Sequence, residues 1–90
     1  MTSGPAGATS TGVNVTVRYW ASARAAAGRD TESLVGNSVG DVLGAAAAAN
    51  TGLSAVLDVS TILLDGRAVT AVEPLTEGVI LEVLPPFAGG

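Results

Sequence analysis

A chain of 90 residues makes one domain with a single small core, since so short a chain buries only about 60 % of its unfolded surface. Hydrophobic residues are 48 % and charged ones 13 %, enough to fold, but much of the apolar share is alanine, so the core must rest on Val, Leu and Ile. A net charge of −4, with four Arg, no Lys and scattered acids, argues against a nucleic-acid or anionic-membrane binder, and the lack of Cys and His removes disulfides, thiol or imidazole catalysis and Cys/His metal sites.

No apolar run approaches the roughly 18 residues of a membrane helix, and no basic region followed by an apolar one opens the chain. A cytoplasmic protein is expected. Residues 1–12 are, after Met1, Gly, Ser, Thr, Ala and Pro, without periodicity or charge. They cannot repay their ordering entropy and read as a disordered N-terminal arm. The domain proper is expected at 13–84.

Residues 13–20 alternate, with Val13, Val15, Val17 and Tyr19 on one side and Asn14, Thr16, Arg18 and Trp20 on the other. This is the period-2 pattern of a strand. Residues 21–28 are Ala-rich and close on Gly28, which predicts one or two helical turns. A short extended run follows at 31–35. Ser38 stands three residues before Asp41, a capping box with Asp in place of Glu, so a helix is predicted over 39–50. Val39, Val42, Leu43, Ala46 and Ala47 give it one apolar stripe, against which Gly44 costs about 1 kcal/mol.

Residues 53–57 are apolar but flanked by turn formers, and read as an irregular or 3₁₀ connection. A strand at 60–64, a hairpin turn at Asp65-Gly66 and a partner strand at 67–72 come next. Residues 74–78 form a loop, and 79–84 a final strand with only Glu82 polar. Such an apolar strand belongs in the middle of a sheet. The order β, short turn, β, helix, β, β, β predicts an α+β chain of the β-grasp, or ubiquitin-like, kind, a mixed sheet of four to five strands packed on one main helix. The first and last strands should be parallel neighbours, with Val15, Val17, Val79, Leu81 and Val83 toward the helix. Arg18 and Glu82 then share the opposite face, where they are expected to pair.

The chain ends Leu84-Pro85-Pro86-Phe87-Ala88-Gly89-Gly90. Two prolines bar helix and ladder pairing and favour extended backbone, and two glycines pass where a side chain would clash. Residues 85–90 therefore read as a flexible carrier tail, anchored at its root and suited to a narrow channel on another protein. An inert binding module with an accidental Gly-Gly is the plain alternative. The scarcity of acid and base residues argues against autonomous catalysis.

Three stretches resemble the MoaD/ThiS group of sulfur carriers, and within it the small subunits of molybdopterin synthase: Tyr19-Trp20-Ala21-Ser22-Ala23-Arg24 through Gly28, Leu75-Thr76-Glu77-Gly78, and the closing Leu-Pro-Pro-Phe-Ala-Gly-Gly. The resemblance implies that an E1-like adenylating enzyme uses ATP and magnesium to convert the Gly90 carboxylate to an acyl-adenylate, and that a sulfur nucleophile displaces AMP to leave a thiocarboxylate. It also implies donation to a pterin precursor of the molybdenum cofactor within the molybdopterin synthase large subunit. The carrier itself holds no cofactor. Gly90 and Gly89 are then the reacting end, and Trp20, Arg24, Pro86, Phe87 and Ala88 its partner contacts. Arg24 reads equally as a solvated charge, and Trp20 as a cover for the sheet edge. Carriers for thiamine, cysteine or another thio-metabolite share these features, and so do ubiquitin-like protein modifiers.

Overall fold

The computed structural model describes residues 12–86. Residues 1–11, most of the expected arm, and Phe87, Ala88, Gly89 and Gly90 lie outside the described residues. The elements are β1 (Val13–Tyr19), α1 (Ala21–Ala27), β2 (Thr31–Gly36), α2 (Val39–Ala49), α3 (Leu53–Val59), β3 (Thr61–Leu64), β4 (Arg67–Val69) and β5 (Ile80–Leu84). The five strands form one mixed sheet in the order β2-β1-β5-β3-β4. This is the β-grasp, an α+β fold, as the order of predicted elements requires.

β1 and β5 are parallel neighbours in the centre, with Val17 opposite Leu81 and Tyr19 opposite Val83. Parallel strands cannot be joined by a tight turn, so everything between them serves as the crossover. The alternation in β1 decides which face is covered: Val15, Val17 and Tyr19 are buried together with Leu81 and Val83, and Val39, Val42 and Ala46 of α2 pack onto them. Val79, expected on this face, is half-buried against the same cluster. Glycine at position 36 lets α2 come close, since a Cβ there would meet Val42 Cγ2 at 2.8 Å.

α2 begins where its sequence signals it. The Ser38 side chain accepts from the Asp41 N–H at 3.2 Å, and the Asp41 carboxylate accepts from the Ser38 N–H at 3.2 Å. The next two free N–H groups, of Val39 and Gly40, donate to the carbonyls of Glu73 and Ala71. Capping and tertiary docking are thus one feature. Ser38→Ala should lower the unfolding free energy by about 1 kcal/mol, with Ser38→Asp close to wild type, read from urea midpoints.

Two expectations are corrected. Residues 53–57 are not an irregular or 3₁₀ connection but the front of α3, a seven-residue α-helix. Leu53, Val56 and Leu57 lie at i, i+3 and i+4, and the first is fully buried while the other two pack against the core. Core contact stabilises a helix too short to stand alone. β4 ends at Val69 rather than continuing to residue 72. The Glu73 N–H donates to the Thr70 carbonyl, which turns the chain, and Ala71 spends its own carbonyl on α2. The Asp65-Gly66 hairpin is as expected, with φ of 49° and 87°, the two positive values of a type I′ turn.

Candidate functional site

β5 delivers the chain to its tail from the middle of the sheet. Leu84 is its last paired residue, opposite Thr61; Pro85 is half-buried and Pro86 exposed. Trp20 stands beside this root, because its backbone N–H donates to the Val83 carbonyl at 3.2 Å. Trp20, the protein's one tryptophan, is 42 % exposed and therefore available to a partner.

The register places Arg18 opposite both Glu82 and Thr31, on the sheet face away from the helices. The shared face is as expected. The expected ion pair is absent: among the described residues Arg18 has no salt bridge. Trp20 intervenes, donating from Nε1 to Glu82 Oε2 at 3.3 Å while the Arg18 guanidinium lies over its ring, 5.9 Å from the centroid. Indole and guanidinium gain a cation–π contact, and the carboxylate fixes the ring. Trp20 therefore does not merely cover a sheet edge.

An open concavity of about 320 Å³ is lined by Arg18, Tyr19, Trp20, Arg24, Asp30 and Thr31. Arg24 projects from α1, where Gly28 ends the helix and donates its N–H to the Arg24 carbonyl at 2.9 Å. Its guanidinium meets Asp30 at 3.5 Å. Trp20 and Arg24, both expected partner contacts, are thus brought together. Arg18 joins them although the sequence pointed it at Glu82; its i, i+2 spacing from Trp20 on one strand face was the available signal. Phe87, Ala88, Gly89 and Gly90 lie outside the described residues.

Behind the concavity Tyr19 is buried and donates its hydroxyl to Glu32 at 2.8 Å, and Glu32 is also approached by Arg29 at 3.8 Å. Burial, then the Glu32 contact, raises the Tyr19 pKa well above its ordinary 10.0. A group with a raised folded pKa contributes fully below the unfolded value and loses its contribution as pH climbs past it. Stability should therefore fall above about pH 10, by about 1.4 kcal/mol per pH unit for this one group. Tyr19→Phe should be less stable at pH 7 and show a shallower alkaline decline, measured by urea unfolding across pH.

The Leu75-Thr76-Glu77-Gly78 turn is structural. Leu75 is buried in the core, and Glu77 accepts from the backbone N–H and the side chain of Asn14, both at 3.0 Å. Those two hydrogen bonds, the backbone one foremost, lower the Glu77 pKa. The turn clamps the start of β1 to the start of β5 and so helps set the parallel register. Among the described residues no helix is long and apolar enough to cross a membrane.

The model of the ThiS family matches residues 17–90, from the middle of β1 through the terminal Gly-Gly. The chain belongs to the ThiS family. Its fold is shared with small archaeal modifier protein 1 from Methanosarcina acetivorans, at a TM-score of 0.81 and 24 % identity over 89 % of this chain and 99 % of that one. The corresponding protein from Haloferax volcanii gives 0.77 and 27 %, over 86 % and 99 %. A chain in the complex of subunits 1 and 2 of the molybdopterin-converting factor from Helicobacter pylori 26695 gives 0.67 and 25 %, over 87 % and 100 %. No curated protein matches significantly. The ThiS-family match takes in both the Trp20–Arg24 stretch and the tail, which places the resemblance in one continuous segment.

Proposed function

We propose that this ThiS-family chain is a sulfur carrier that works through its Gly90 carboxylate, in molybdenum cofactor biosynthesis. An E1-like enzyme binds ATP and magnesium, and an oxygen of the Gly90 carboxylate attacks the α-phosphorus. Pyrophosphate leaves and an acyl-adenylate remains. A sulfur nucleophile at the sulfide level, such as bisulfide, then adds to the carbonyl carbon and AMP departs with the bonding pair, which leaves a thiocarboxylate on Gly90 with no change of oxidation state. In the large subunit of molybdopterin synthase this sulfur passes to a pterin precursor.

The observation that carries the reading is the junction of β5 with the closing sequence: Pro85 and Pro86 lead out of a central strand beside the exposed Trp20, and the sequence beyond them reads Phe-Ala-Gly-Gly. The rigid sheet fixes where the tail starts, and glycine at 89 and 90 keeps its end thin. A chain with no Cys has no side-chain thiol to load, which suits sulfur carried on the terminal carbonyl. Likeness to a chain of the molybdopterin-converting factor complex supports the pterin branch.

Likeness to the Haloferax volcanii small archaeal modifier protein 1 favours a second reading, in which the same activated carboxylate is transferred to an amine of another protein. Both readings require adenylation, and they part at the product. With the E1-like enzyme of the same genome, ATP and magnesium, pyrophosphate release should depend on this chain. Added sulfur donor should then yield free thiocarboxylated protein under the carrier reading, whereas an amide-linked conjugate without thiocarboxylate would favour the modifier.

A further inference from the structure

The concavity beside the tail root presents two guanidinium groups on a chain whose net charge is −4. Neither is firmly engaged. Arg18 has no ion pair among the described residues, because Glu82, its cross-strand neighbour, is taken by the Trp20 indole. Arg24 has only Asp30, at 3.5 Å, with the two side chains 57 % and 75 % exposed. A pair so exposed contributes little and exchanges readily.

We infer that this concavity receives an acidic side chain of the activating enzyme, gripped between Arg18 and Arg24 with the Trp20 ring as its wall. The inference rests on the proposed activation of Gly90. Charge complementarity selects the occupant. An acidic segment is repelled by most of a surface with eight acids against four arginines, so a concavity lined by two arginines and only one acid, Asp30, marks the place where it can settle and fix the docking register. Arg18 lies over the indole with its guanidinium 5.9 Å from the ring centroid, a loose cation–π contact that leaves its donor fork free for a carboxylate. The position suits the task, since Trp20 is hydrogen-bonded to the strand that leads into the tail. A contact here holds the enzyme against the end of β5, from which Pro85 and Pro86 lead into the tail.

The test compares wild type with Arg18→Glu/Arg24→Glu and with Arg18→Lys, after thermal unfolding has shown all three folded. Two readouts are taken with the purified E1-like enzyme: steady-state adenylation, and emission of Trp20, the protein's one tryptophan, during titration. The double variant should raise KM for the carrier by about tenfold or more, leave kcat at saturation unchanged and lose the salt dependence of binding. Arg18→Lys should fall between. A KM within twofold of wild type in the double variant would overturn the inference and leave the carrier reading standing. If the enzyme binds the native chain in an arginine-dependent way yet never adenylates it, the docking contact is supported and the carrier reading falls. If inorganic phosphate or AMP alone quenches Trp20 in wild type but not in the double variant, the concavity is a small-anion site and the inference is overturned.

Discussion

Leu81→Ala should lower the unfolding free energy by about 3 kcal/mol, a large share of the roughly 5–15 kcal/mol available to a small domain. Leu81 is fully buried in β5, flanked by Val17 on the parallel side and Leu64 on the antiparallel side. Truncation removes the transfer free energy of its methyl groups and leaves a cavity that strands on both sides prevent from collapsing. Ile80, its exposed neighbour on the other face, supplies the control. Ile80→Ala should shift the urea midpoint by a small fraction of the Leu81→Ala shift, with m unchanged in both. A comparable loss at Ile80 would mean that the two faces of β5 have been exchanged.

The second large effect falls on chemistry and leaves stability alone. One residue added after Gly90 should reduce thiocarboxylation by about 10²-fold or more, because it carries the reacting carboxylate past the position an activating site must hold to within an ångström or so. Gly89→Val should impair it as well, since a β-branched side chain thickens the tail and narrows its backbone choices. Both changes leave residues 12–86 unaltered, so both variants should unfold at the wild-type urea concentration. Rates from single-turnover assays, read beside those midpoints, separate a tail that cannot be activated from a domain that has come apart.

Much of the fold was legible because several local signals agreed with the global one. Alternation in β1 named the buried face, Ser38 with Asp41 marked the start of α2, Asp65-Gly66 placed the hairpin, and the near-continuous apolar run of β5 put that strand in the centre. α3 was not legible because seven residues between turn formers carry too little periodicity to outweigh their flanks, and the packing of Leu53 against residues distant in sequence decides the matter. β4 stops early for a similar reason: the Ala71 carbonyl is drawn to α2, a tertiary demand with no mark in residues 67–72. At the site, opposite charges in register suggested an Arg18–Glu82 pair. A tryptophan next to both outcompetes it, since the indole N–H takes the carboxylate and the ring face takes the guanidinium.

The activation of Gly90 is tested most directly by locating the sulfur. The native chain is incubated with the E1-like enzyme, ATP, magnesium and a sulfur donor, and its mass is measured intact and again on the C-terminal fragment after proteolysis. Activation at Gly90 should give a mass increase equal to the replacement of one oxygen by sulfur, confined to the fragment that ends in Gly90 and absent when ATP is omitted. A chain that binds the enzyme but leaves with an unchanged C-terminal fragment, or that carries the added sulfur on any other fragment, would contradict it.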